Sequence, residues 1–191
     1  IRGLLTWNRN KSYYESAPWR SSMELAGGGC MINQAIHTLD LIQLFSLDKV
    51  KSIKGSISNL LDYGYDIEDT ASAKIIFENG CEAIFYATVS SLDDHDIQFD
   101  IKCEKGIFAI RNKKLFLVDS DSEKLITQDE DFYIGKRCYG NSHIKLIHSF
   151  YNVLKNNEGY YIKASEGIES MKMIDAIRKS SLKNQVVKNF D

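Results

Sequence analysis

The chain has 191 residues, 43% of them hydrophobic and 26% charged, with 24 basic and 26 acidic side chains and a formal net charge of −2. A chain of this length buries roughly 70% of its unfolded surface, so it can hold a core without disulfides or a metal. The charges are interspersed and form no basic stripe, no apolar run approaches the ~20 residues that cross a bilayer, and no signal peptide is visible. Nucleic-acid and membrane partners are therefore not expected, and a cytoplasmic setting is.

Ile1 to Trp7 (IRGLLTW) reads as a strand. A sequence that starts in a strand and without Met reads as a piece of a longer protein. Trp7 to Ser22 (WNRNKSYYESAPWRSS) follows as an aromatic and basic loop holding the single proline, Pro18. In GGGCMINQAIHTLDLIQLFSL, Ile32, Ala35, Ile36, Leu39, Ile42 and Phe45 recur at helical spacing behind Gly27-Gly28-Gly29, which predicts a helix of about four turns.

From Val50 to about Ser120 the period changes to two, which predicts strands of an antiparallel sheet. Within them Asn79-Gly80 supplies a pair suited to a type I′ turn, so Ala71 to Phe77 and Cys81 to Val89 should form a hairpin. Ile84, Tyr86 and Thr88 are candidates for its outward face. His143 to Asn156 and Ser165 to Leu182 read as amphipathic helices, the second with Ser165 as its cap. Grouped strands between helices give an α+β fold: a twisted, mainly antiparallel, open-faced sheet with helices on one face.

The four cysteines, Cys30, Cys81, Cys103 and Cys138, are isolated, with no CxxC and no histidine at ligand spacing. This predicts buried free thiols and no metal site. No strand, GxGxxG and helix occur in succession, so this stretch should not bind a dinucleotide alone. On the glycine-led helix Asn33 and His37 are four residues apart and Asp40 three further, which places them along one side. From pattern alone a histidine in an apolar helix is more often a core residue than a catalyst.

In the loop, Arg9, Tyr13, Tyr14, Trp19 and Arg20 offer guanidinium forks for hydroxyls or acids and rings that stack on sugar faces, although the aromatics could simply cover the helix. Gly28 and Gly29 suit close approach of backbone to a ligand or a neighbouring domain. Glu68 and Asp69, adjacent on a strand, should point to opposite faces and serve structure. His95, within DDHD, and His143 and His148 are expected to face solvent or pack, and Lys163 is a weaker candidate for reaching a substrate.

The segment TWNRNKSYYESAPWRSSMELAGGGCMINQAIHTLDLIQLF resembles the start of the substrate domain in the glucose-fructose oxidoreductase, inositol dehydrogenase and rhizopine-catabolism (Gfo/Idh/MocA) family. EDTASAKIIFENGCEAIFYATVS is similar to its central hairpin and ASEGIESMKMIDAIRKSSLKNQVV to its closing helix. The resemblance implies a substrate-binding and oligomerising domain spanning residues 1–191, with a Rossmann domain that carries NAD or NADP lying outside this chain. It further implies a small sugar-like substrate and a homodimer or homotetramer formed through the open sheet face.

By the same resemblance His37 matches the family's histidine at the reacting carbon. Asn33 falls where many members carry an aspartate, a lysine of the absent domain is the main proton acceptor with His37 assisting, and Arg20 and Tyr14 line the pocket. Hydride exchange with a secondary alcohol of a sugar, cyclitol or nucleotide sugar is the implied reaction, one this stretch should not perform alone. A non-catalytic ligand sensor or a purely structural oligomerisation module are the alternatives.

Overall fold

The computed structural model describes residues 1–129 and 142–188. Its strands are β1 (Arg2–Thr6), β2 (Val50–Ser58), β3 (Thr70–Phe77), β4 (Glu82–Thr88), β5 (Gln98–Cys103), β6 (Gly106–Arg111), β7 (Lys114–Val118), β8 (Glu123–Gln128) and β9 (Val187–Lys188). They make one sheet in the order β8-β7-β6-β5-β1-β4-β3-β2-β9, antiparallel except where β1 runs parallel to β4. The period-two pattern explains the layering. Ala71, Ala73, Ile75 and Phe77 of β3 and Ala83, Phe85 and Ala87 of β4 are buried, whereas Lys74, Glu82 and Ile84 between them are exposed.

The helices are α1 (Lys11–Glu15), α2 (Met23–Ala26), α3 (Ile36–Ser46), α4 (Ser142–Asn156) and α5 (Ile168–Lys183). α3 packs against β1 and α5 against β2, so the expected open-faced α+β sheet is the observed one. The core joins Leu5, Ile53, Ile75, Phe77, Phe85 and Phe99 of the sheet to Met31, Leu39 and Ile42 before and within α3 and to Met173, Ile174 and Ile177 of α5. Each such buried side chain contributes about 1.5–3 kcal/mol relative to exposure. Where β2 outruns its short partner β9, α5 completes the edge: Gly55 N donates to Ser180 Oγ (2.9 Å) and Ile57 N to Ser181 Oγ (3.1 Å).

Several expectations need correction. The stretch Trp7 to Ser22 is not open loop: Asn10 caps α1 by accepting from Tyr13 N, and a 3₁₀ turn spans Pro18–Ser21. The hairpin forms, but Asn79 does not adopt positive φ; only Gly80 does (+83°), and Gly80 N donates to Phe77 O (3.1 Å) while Phe77 N donates to Cys81 O (2.9 Å). That is a three-residue loop with glycine in the left-handed position, freeing Asn79 Nδ2 to reach Ser46 O at the end of α3 (2.8 Å).

Ser165 does not cap α5. It lies inside a 3₁₀ turn, Ala164–Gly167, whose start is held by Lys163 N donating to Glu166 Oε1 (2.8 Å). Thr88 is buried, with Oγ1 bonded to Thr70 and Ser90, so only Ile84 and Tyr86 of the expected trio reach the outer face. Phe45 is exposed at the rim of the core, against Phe99. Of the cysteines Cys30 is buried, Cys81 half-buried and Cys103 exposed, all free; Cys138 lies outside the described residues. No helix among the described residues is long and apolar enough to cross a membrane.

Candidate functional site

The glycine-led segment does not start as an α-helix. Cys30 leads into a π-turn, Met31–Ala35, and only from Ile36 does α3 run regularly. Such wide turns displace side chains from straight-helix phase, so the simple one-turn spacing of Asn33 and His37 does not carry over. Asn33 is half-buried, its Nδ2 donating to Gly28 O (3.1 Å), and His37 stands exposed on the first turn of α3. Among the described residues no hydrogen bond to the His37 ring is present. Asp40 turns to α5, where its Oδ1 accepts from Ser170 Oγ (3.2 Å).

The loop residues divide into two groups. The Arg9 guanidinium lies over Trp7 (4.8 Å) and Tyr13 (5.3 Å), and that of Arg20 over Tyr13 (4.3 Å) and Trp19 (5.6 Å). Arg9 and Arg20 thus flank the Tyr13 ring, with Trp19 beside Arg20, and cation–π contacts of this kind contribute ~0.5–1 kcal/mol each where exposed. Arg9 is also tied to Asp94 (3.0 Å), and Arg20 Nη1 donates to Tyr13 O (2.9 Å). Trp19 remains 47% exposed, beside the Arg20 guanidinium.

Tyr14 adjoins the cluster, its ring edge-on to that of Tyr13 (5.1 Å). It is buried against Tyr65 (5.1 Å) and Tyr63 (6.2 Å), and burial, with Tyr13 and Asp69 adding to it, pushes its hydroxyl well above the usual range. The residue that ties this cluster to the π-turn is one that sequence reasoning missed: Gln34, 7% exposed, whose Nε2 donates to Tyr13 Oη (3.0 Å). Only the three-dimensional placement of α1 over the turn identifies it.

The glycines serve a close approach, and the groups approached belong to the chain itself. A Cβ on Gly28 would lie 1.6 Å from Arg178 Nη2, and one on Gly29 1.7 Å from Glu68 O. Glu68 and Asp69 occupy the loop before β3 rather than opposite faces of a strand, and both are buried. Asp69 accepts from Leu60 N (2.9 Å) and Leu61 N (2.7 Å), the structural role expected for it. Glu68 Oε1 accepts from Gly29 N (3.1 Å) and Met31 N (3.2 Å). Burial, with Glu68 and Asp69 next to it, raises the Cys30 thiol well above its ordinary range.

His95 is exposed; its backbone serves structure, N donating to Thr6 O (3.0 Å) and O accepting from Trp7 Nε1 (2.9 Å). His143, His148 and Lys163 are exposed around α4. No cluster of ligating side chains suited to a metal ion occurs among the described residues.

Many solved structures share this fold. Levoglucosan dehydrogenase, in complex with NADH and levoglucosan, superimposes with a TM-score of 0.79 at 18% identity, covering 98% of this chain and 57% of its own. An oxidoreductase domain protein from Kribbella flavida gives 0.80 at 16% identity, with 98% and 57% covered. The WlbA dehydrogenase from Bordetella pertussis, in complex with NADH and UDP-GlcNAcA, gives 0.68 at 20% identity, with 99% and 54% covered. The chain thus spans little more than half of each of these proteins, and at such identities the likeness is one of fold. No curated protein matches the sequence. The profile of the GFO/IDH/MocA C-terminal domain matches residues 1–109, from β1 to within β6, and the chain belongs to that family.

Proposed function

We propose that these residues form the substrate-binding half of a cytoplasmic NAD(P)-dependent oxidoreductase, acting on a secondary alcohol of a sugar, cyclitol or nucleotide sugar. The observation that carries the reading is the family match over residues 1–109, which include His37 on α3, Asn33 in the π-turn before it and the arginine-aromatic cluster between Arg9 and Arg20. The dehydrogenases of the same fold, holding NADH with levoglucosan or with UDP-GlcNAcA, support the reaction class.

The described residues do not themselves fit a dinucleotide. The backbone N–H groups of Gly29, Cys30 and Met31, which a pyrophosphate would need, are already taken by Glu68. The hydride acceptor is therefore assigned to a nucleotide-binding half outside these residues, and this chain's part is the alcohol and its proton.

In that role the exposed His37 imidazole assists removal of the hydroxyl proton, with a lysine from the other half as the main acceptor. Asn33, its Nδ2 committed to Gly28 O, keeps Oδ1 to accept from a substrate hydroxyl; an amide cannot take up the proton itself. Trp19 offers a stacking face, and Arg9 and Arg20 offer their remaining N–H groups to hydroxyls or an acid. Tyr14 backs the cluster from within. Ile84 and Tyr86 on the open sheet face suit pairing with further copies as a homodimer or homotetramer.

The test is turnover by the whole gene product with a panel of sugars, cyclitols and nucleotide sugars, following nicotinamide absorbance, for wild type and His37→Ala. Loss of about 10²–10⁴-fold in kcat is expected for His37→Ala. Wild-type turnover by that variant would refute the assignment.

A further inference from the structure

The start of the site helix is held by two residues that lie far from it in sequence. Glu68, 2% exposed, uses Oε1 to accept from Gly29 N and Met31 N, and its own carbonyl accepts from Cys30 N (2.9 Å). Three successive N–H groups at the head of the π-turn therefore end on one residue. Its other oxygen, Oε2, faces Arg178 Nη2 of α5 at 3.5 Å. Neither Oε2 nor Arg178 Nη2 has a hydrogen-bond partner among the described residues, so the two charges answer each other. Gly28 and Gly29 leave no room between the turn, the Arg178 guanidinium and the Glu68 backbone for even one methyl group.

The turn passes this placement on. Asn33 N donates to Gly29 O (3.0 Å) and Asn33 Nδ2 to Gly28 O (3.1 Å), and His37 follows on the next turn. A buried ion pair is a poor source of stability, because desolvating both charges offsets most of their attraction; well-packed apolar residues usually do as well. Fixing a geometry is the use that remains, and it is one an apolar pair could not fill, since no apolar side chain accepts from Gly29 and Met31.

We propose that Glu68 and Arg178 are positioning residues for the proposed catalytic helix, setting the turn at Gly28–Met31 and through it the direction in which His37 presents its imidazole. The inference rests on the reading of His37 given above. A misplacement of about 1 Å at a reacting group costs up to ~10²-fold in rate, so a small rotation of the π-turn is enough to matter.

The test uses the whole gene product as wild type, Glu68→Gln, Arg178→Met, their double variant and His37→Ala. Glu68→Gln keeps the volume and one oxygen acceptor and removes the charge facing Arg178. Two readouts are taken: kcat and KM with the fastest-turning polyol of the panel, and NMR spectra of the His37 ring, which need no substrate. The expected result is a displaced His37 ring signal and kcat lowered about tenfold in each single variant, KM unchanged, and a double variant no worse than the singles. A residue with only a structural role would lower thermal stability without moving the His37 signal or splitting kcat from KM.

Should Glu68→Gln fail to fold, Arg178→Met carries the test by itself, since the Arg178 side chain reaches solvent (21% exposed). An unchanged His37 signal and unchanged kcat in the folded variants would overturn the inference while leaving His37 in its role. Wild-type turnover by His37→Ala would instead remove the reading beneath it.

Discussion

The two ends of the sheet are built on different terms. From β2 across to β5 each strand carries at least one fully buried apolar side chain: Ile53, Phe77, Phe85, Leu5 and Phe99, facing α3 and α5. At the other end β7 and β8 carry no fully buried side chain. The candidate site sits with the first group, on a turn wedged between the loop before β3 and α5. The difference teaches that the residues proposed for chemistry are carried by the part of the molecule with the most to lose on deformation, as a preorganised site requires.

The largest effect expected from this contrast is in the first region. Phe85→Ala should cost about 3–5 kcal/mol in urea unfolding, because the ring is fully enclosed at the centre of the sheet. A cost near zero would break the contrast outright. Next comes Gly29→Ala: the added methyl meets backbone at Glu68 O, which cannot swing away, and about 1–3 kcal/mol of strain is expected. If that variant is as stable as wild type, the turn is looser than its packing implies.

A third comparison sets two thiols against each other. Cys103, exposed at the end of β5, should react promptly with iodoacetamide, and Cys30, buried beside Glu68, only on unfolding. The raised Cys30 thiol also fixes a sign. Its contribution to stability is whole below the ordinary thiol value of 9.0 and declines as pH rises past it, because the unfolded thiol ionises first. Equal labelling of the two cysteines in the folded protein would contradict the burial. The smallest effect belongs to the second region: Leu125→Ser on β8, where every side chain is exposed, should change stability by no more than about 0.5 kcal/mol.

The same contrast explains what the sequence made legible. Strands with one face in the core, such as Ala71 to Phe77, carry alternation and were readable, as was the hairpin that joins β3 to β4. β8 was not, since six exposed residues leave no buried face to imprint a period, and β9 is two residues long. The short helices between Asn10 and Ala26 depend on caps from Asn10 and Ser22 and on Asp66 Oδ1 accepting from Met23 N (2.9 Å), a contact forty-three residues distant in sequence.

At the site, His37, Asn33 and the loop arginines were named from spacing and resemblance. The π-turn, Gln34 and the Glu68–Arg178 pair were beyond reach, because each arises from tertiary packing that no local pattern encodes. Adjacent Glu68 and Asp69 could be read as structural, yet which N–H groups they hold could not.

The most direct measurement follows two exposed histidines, His37 on α3 and His148 on α4, by NMR as the protein is titrated with myo-inositol, glucose and UDP-N-acetylglucosamine. The expected result is a saturable shift of the His37 ring, together with the Trp19 indole, for at least one of these probes while His148 stays in place. A response confined to His148, or none from His37 with any of them, would contradict the placement of a sugar-type substrate at the glycine-led helix.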